Sequence, residues 1–175
     1  DDLTGSNDTG VQFAKKGYKT IVLIMEDILP LSFETNYDVV VLDSETRNDC
    51  EKDARRKLIE ILNKVKFAKE DVIYKKIDST LRGNVGAEIE EIMRVCNKSI
   101  CILSPSFPSH QRITLKGHFL LQEPHDSNNH DCNGDMKIKK CSFIPYILGK
   151  QTKLPIERID ITDVAKGQEG ITNIL

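Results

Sequence analysis

Residues 72–89 read VIYKKIDSTLRGNVGAEI, and the order of these residue types decides the fold. Val72, Ile73, Tyr74 and Ile77 are β-branched or aromatic residues that suit a strand. Lys75, Lys76, Asp78, Ser79, Thr80, Arg82 and Gly83 then crowd charges, hydroxyls and a glycine into one short stretch. From Asn84 a helical pattern begins. A strand, a short polar loop and a helix start place these groups at the carboxyl end of a strand. Open α/β sheets take their ligands there, and the free N–H groups of a helix start favour anions. The stretch predicts a site for a small, oxygen-rich, negatively charged molecule.

The flanking sequence repeats the alternation. Residues 19–25 (KTIVLIM) and 37–42 (YDVVVL) are predicted strands with continuous apolar runs, as in a sheet covered on both faces. Residues 49–65 read as a helix with Ala54, Leu58, Ile61, Leu62 and Val65 on one face and charges opposite. Residues 72–77 make a third strand, 85–96 a helix and 99–103 (SICIL) a further strand. Residues 1–17 read as a polar loop and then a helix. Its cap falls on Ser6, Asn7 or Asp8, its apolar positions are Val11, Phe13 and Ala14, and Gly17 stops it. The fold class predicted is α/β: a doubly wound, mostly parallel sheet flanked by helices in a Rossmann-like three-layer arrangement. After residue 104 Pro105, Pro108, Gly117 and Pro124 punctuate a hairpin-like extension. Residues 125–135 (HDSNNHDCNGD) read as a loop, 143–151 as a short helix and 156–161 as a last strand.

Composition narrows the function classes. A chain of 175 residues is long enough for one domain with a full core. A net charge of -2 gives no reason to expect nucleic acid or an anionic membrane as partner. No apolar run is long enough to span a bilayer, and no signal peptide is visible. Cys50, Cys96, Cys101, Cys132 and Cys141 are odd in number and scattered without a C-x-x-C pair, which predicts reduced thiols and a cytoplasmic location. Cys96 and Cys101 suit the core.

Three predicted strand ends carry acids or bases in the same topological place: Asp1-Asp2-Leu3-Thr4-Gly5, Asp43-Ser44-Glu45-Thr46-Arg47 and residues 75–82. In a parallel sheet these loops converge along one edge. Arg47, Lys76 and Arg82 can hold a carboxylate, since a guanidinium grips it with two parallel hydrogen bonds. Asp2 and Asp78 can accept hydrogen bonds from sugar-type hydroxyls, and Ser79 can donate or accept. An aspartate beside a hydroxyl is also the usual base in phosphoryl transfer, and either Asp78 or Asp2 fits that catalytic role. The plain alternative is a set of solvated loop polars and helix caps.

Other patterns are weaker. Gly5 to Gly10 has the G-x-x-x-x-G spacing of a phosphate-cradling loop, but Val11-Gln12 stands where Lys-Ser/Thr is required. Asp1-Asp2-Leu3-Thr4 lacks the two acids separated by one residue that aspartyl-phosphate chemistry uses. His125, His130, Cys132 and Cys141 fit no closed zinc pattern. Asp131, Asn133 and Asp135 alternate as in a calcium loop, with the glycine misplaced and no closing Glu. No metal site is predicted.

Taken together, Asp1-Asp2-Leu3-Thr4-Gly5-Ser6-Asn7-Asp8-Thr9-Gly10, the KKIDSTLRGN run at 75–84 and Pro105-Ser106-Phe107-Pro108 with Arg112 and Gly117 resemble the four-carbon acid sugar kinase family. These are the D-threonate, D-erythronate and 3-oxo-tetronate kinases. The likeness covers nearly the whole chain and matches the family's N-terminal, substrate-binding domain. It implies phosphorylation of the terminal hydroxyl of a four-carbon sugar acid, with ATP and Mg2+ as cofactors. It also implies that a C-terminal domain of the same protein holds most of the nucleotide. Family substrate-binding positions carry over onto Asp2, Arg47 and Lys76-Ile77-Asp78-Ser79.

The chain departs from the family in three places. The family's apolar strand before Asp-Asp is missing, so residues 1–175 are expected to be a fragment without that strand or the C-terminal domain, inactive alone. Gln111-Arg112 stands where the family has Gly-Arg, which leaves the backbone of that loop open. The match is poorest over 122–142, where an insertion or an altered lid is expected. A homo-oligomer is left open. The rivals are a non-catalytic sugar-acid sensor and a protein labelled a Hrp-dependent type III effector. A dinucleotide-binding oxidoreductase lacks its G-x-G-x-x-G turn.

Overall fold

The computed structural model describes residues 2–24, 37–68, 70–121 and 142–174. It divides into two compact units, Asp1–Ile102 and Leu103–Leu175.

In the first unit, helix α1 (Leu3–Ala14) begins immediately after Asp2. Asp2 has an extended backbone, and its Oδ1 accepts from the Gly5 N–H at 2.9 Å, so Asp2 is the cap rather than Ser6, Asn7 or Asp8. Thr4, Gly5 and Ser6 are poor helix formers, which is why they read as loop. Packing overrides that propensity. The buried residues of α1 are Gly5, Ser6 and Gly10, while Val11 is exposed. A Cβ at Gly10 would lie 3.0 Å from Val22 Cγ2 and 3.8 Å from Val41 Cγ2, so the missing side chain lets the helix settle on the strands.

Those strands are β1 (Thr20–Ile24) and β2 (Val39–Asp43), paired in parallel from Thr20 opposite Val39 to Ile24 opposite Asp43. Helix α2 (Glu51–Asn63) buries Ala54, Leu58, Ile61 and Leu62, the face its periodicity predicts. Helix α3 (Val85–Val95) packs beside it. Arg55 of α2 reaches Glu90 at 2.9 Å and Glu91 at 3.0 Å, closing the seam with charge. Each fully buried Leu or Ile contributes about 1.5–3 kcal/mol to this layer. The mixed α/β class with parallel pairing is as expected from the sequence.

Two expected strands are not. Residues 72–77 and 99–103 join no ladder among the described residues. Val72 is 91% exposed and Ile102 74%, and Cys101, expected in the core, is exposed as well. Apolar, β-branched composition makes a segment suited to a sheet, but a ladder needs a partner about 4.8 Å away.

In the second unit, β3 (Arg112–Leu115) and β4 (His118–Leu121) pair antiparallel, which is the hairpin the extension predicts. Lys116 and Gly117 turn with φ of 48° and 79°, the left-handed pair of a tight hairpin turn. Gly117 is needed there, because a Cβ would meet Phe143 Cε2 at 2.9 Å. Gln111 also adopts the left-handed region, at φ 56°. Helix α4 (Ile144–Gly149) falls within the predicted 143–151, followed by α5 (Ile161–Val164) and α6 (Gln168–Thr172). The expected strand over 156–161 is absent. Asp160 and Asp163 form a reciprocal capping box that starts α5 at Ile161 instead. The expected loop at 125–135, with His125, His130 and Cys132, and also Cys141, lies outside the described residues. Among the described residues no helix is long and apolar enough to cross a membrane.

Candidate functional site

Three loops of the first unit meet around Asp2. While Oδ1 caps α1, Oδ2 accepts from Arg47 Nη1 in an ion pair between side chains 16% and 25% exposed. Glu45 Oε1 accepts from the Leu3 N–H at 3.1 Å, tying the loop after β2 to the start of α1. The loop that ends in Gly83 closes the ring. A Cβ at Gly5 would lie 2.8 Å from Asp2 Oδ1 and 3.1 Å from Lys76 Nζ, so the Lys76 ammonium sits against the first turn of α1. Gly83, at φ +86°, lies against the Arg47 backbone, where a Cβ would be 3.3 Å from its carbonyl oxygen. Arg47 and Lys76 are thereby gathered at Asp2, and Arg82 is near enough to feel its charge.

Asp78 is buried and held by a fork. Arg82 donates from Nε to Oδ2 at 2.8 Å and from Nη2 to Oδ1 at 3.1 Å, and the Thr80 hydroxyl also donates to Oδ2. Burial disfavours the charged carboxylate, but hydrogen bonds from Arg82 and Thr80 outweigh it and hold Asp78 well below the usual carboxylate range. Hydrogen bonding to Asp78 raises Arg82 in turn. The Arg82 side chain is otherwise two-thirds exposed (66%), so its outer edge faces solvent. The turn is closed by the Leu81 N–H to the Asp78 carbonyl at 2.9 Å, and Leu81, buried, has φ of 57°. Ile77 and Ser79 flank Asp78, both half-buried.

Behind these groups lies a buried polar chain. The Thr46 hydroxyl donates to Glu88 Oε1 at 2.7 Å, and Lys75 pairs with Glu88 Oε2. Ser44 Oγ lies 2.8 Å from Thr46 Oγ1 and must be the donor, since the single Thr46 proton goes to Glu88. Asn84 Nδ2 donates to the carbonyls of Thr46 at 3.3 Å and Asp49 at 3.0 Å. Asp43 is fully buried, and the side-chain hydrogen bond between Asp43 and Glu45 raises the Glu45 carboxyl above its ordinary value. Thr46, Lys75 and Asn84 fall within the stretches singled out in the sequence at 43–47 and 75–84, though without a role of their own there, and Glu88 falls outside them, in the predicted helix. One signal was available: Glu88 falls three residues after Val85 and one before Ile89, on a stripe otherwise apolar.

Loops that bring Asp2, Arg47 and Lys76 together, with the Asp78–Arg82 pair on the third loop, give this α/β unit a cluster of polar and charged groups of the kind that holds small polar ligands. Comparison with known proteins is more specific. The profile of the sugar-binding N-terminal domain family matches residues 1–175. A D-threonate kinase of Salmonella typhimurium is 32% identical over 176 residues, covering 100% of this chain and 40% of the relative. A D-erythronate kinase of Heliobacterium modesticaldum is 30% identical over 177 residues, again covering 100% and 40%. A solved Bordetella bronchiseptica domain of unknown function, a domain-swapped dimer with bound citrate, superposes with a TM-score of 0.67 at 29% identity, covering 85% of this chain and 38% of that one. The chain belongs to the four-carbon acid sugar kinase family, as its sugar-binding N-terminal domain. It spans about 40% of the length of those kinases.

Proposed function

We propose that this chain is the sugar-acid-binding part of an ATP-dependent, cytoplasmic kinase that phosphorylates the terminal hydroxyl of a four-carbon sugar acid. The observation that carries the reading is the gathering of Arg47 and Lys76 about Asp2, with Arg82 forked onto Asp78 on the third loop. The guanidiniums and the ammonium receive the substrate carboxylate, while Asp2, Asp78 and Ser79 take its hydroxyls beside Ile77. Citrate, bound in the related Bordetella domain, is itself a hydroxy acid.

Phosphoryl transfer depends mostly on positioning and charge stabilisation. Asp78, its carboxyl held low by Arg82 and Thr80, is a weak base and suits the orienting of the attacking hydroxyl. Asp2 stands in the same ring and is the other acid available for that role. ATP is supplied by the further length that the kinase relatives possess. Mg2+ would accompany the ATP, since it is typically held by one or two carboxylates together with substrate phosphates.

The test is ATP consumption by the full-length protein with D-threonate, D-erythronate and 3-oxo-tetronate in turn. Turnover that requires one of these acids is expected. Absence of turnover with all three, in folded protein that binds ATP, overturns the reading.

A further inference from the structure

We propose that Glu88, remote from the ligand groups themselves, is a positioning residue that sets the affinity of the site for the sugar acid. The inference rests on the reading above for the ligand, but its geometry stands independently of it. Glu88 is 1% exposed in the first turn of α3 and holds two of the three site loops at once. Through Oε1 it accepts from Thr46, the residue before Arg47, and through Oε2 it pairs with Lys75, the residue before Lys76. Two of the three cations proposed to meet the substrate, Arg47 and Lys76, are therefore each one peptide unit from a group that Glu88 fixes.

The adjacent lysines divide the work. Lys75 reaches the acid of α3, and the Lys76 ammonium lies against Gly5 in the first turn of α1. Fixing the first sets the rotation of the backbone that aims the second. On the other loop, Ser44 extends the chain through Thr46, and Asn84 fixes the Thr46 carbonyl from one turn before Glu88. A buried hydrogen-bonded chain ending on a charge is stiff, because each bond polarises the next and leaving any member unpaired is costly. This network lets the loops present Arg47 and Lys76 already in place.

Two substitutions in the full-length protein test this. Glu88→Gln keeps an acceptor for Thr46 and removes the counter-charge of Lys75, while Thr46→Val removes the bridging hydroxyl at nearly constant volume. With sugar acid as the varied substrate, each is expected to raise KM about tenfold, while kcat and the KM for ATP stay within about twofold. Amide hydrogen exchange over 44–48 is expected to quicken in both variants. A purely structural role would instead lower the amount of active enzyme and leave KM unmoved. Unchanged KM for the acid in folded variants overturns the proposal, as does unchanged exchange over 44–48. If wild-type protein neither turns over nor binds any four-carbon acid, the functional reading fails. The exchange measurement then decides the positioning role alone, with Thr46→Val standing in should Glu88→Gln not fold.

Discussion

Replacing Asp2 separates two jobs that the structure assigns to one side chain. Asp2 Oδ1 caps α1 through the Gly5 N–H at 2.9 Å, and Oδ2 pairs with Arg47. Asp2→Ala removes both. Loss of the cap costs about 1 kcal/mol. Loss of a charged hydrogen bond costs about 1.5–3 kcal/mol, trimmed because the Asp2 side chain is a quarter exposed (25%) and the pair is partly screened. A total of about 2–3 kcal/mol follows. Asp2→Asn keeps the cap, since Asn caps as well as Asp, and still offers Arg47 a neutral oxygen, so it loses about 1 kcal/mol. Urea unfolding of the chain is the assay. With a slope of about 2 kcal/mol per molar, the two variants' midpoints separate by about 0.5–1 M. A double-mutant cycle with Arg47→Met isolates the ion pair. Equal destabilisation by Ala and Asn would mean that the cap contributes nothing. A wild-type midpoint in Asp2→Asn would remove the ion pair from the account of how Arg47 is held.

Two further perturbations bear on the loops. Gln111 occupies the left-handed region at φ 56°, so Gln111→Gly is expected to stabilise by about 0.5–1 kcal/mol, the relief of left-handed strain less the added freedom of the unfolded chain. A lower urea midpoint in that variant would refute the strain argument. The Asp78 carboxyl is depressed in the fold, so its contribution to stability is present above the ordinary aspartate value of about 3.9 and is lost as pH falls from there through the lower value it has in the fold. Arg82→Gln removes most of that depression and should move the acid-unfolding limb to higher pH, and an identical limb in the two proteins would sink the assignment.

The parts of the fold visible in the sequence are those governed by local pattern. The apolar runs that became β1 and β2, the α2 stripe of Ala54, Leu58, Ile61 and Leu62, and the Gly117 turn each carry their cause within a few residues. What escaped depends on partners distant in sequence. Residues 72–77 have strand composition, yet composition cannot supply the neighbouring strand that makes a ladder. The glycines at 5 and 10 could be refused as a phosphate loop from Val11-Gln12. Their actual use, admitting Lys76 and Val22 against α1, exists only once the chain has folded. The same holds at the site: Asp2, Arg47, Lys76, Asp78 and Arg82 are conspicuous as charged residues in polar loops, whereas Glu88 and Thr46 look like ordinary helix and loop residues until the helix buries them.

That buried layer also accounts for the backbone of the loops in front of it. Glu45 and Leu81 are not glycines, yet they hold φ of 47° and 57°. Left-handed non-glycine residues cost about 1–2 kcal/mol each and persist only where their surroundings over-determine them. Here the surroundings are identifiable. Glu45 is held between the Leu3 N–H and Asp43, and Leu81 between the Asp78 turn and the core. Both strained residues stand within three positions of a charge proposed to meet the substrate. Strain sustained by a fixed frame belongs to a site whose cations are set before the ligand arrives. Under the proposed function, folding has already met the cost of ordering, and binding energy for a sugar acid would go into contacts rather than into arranging the loops.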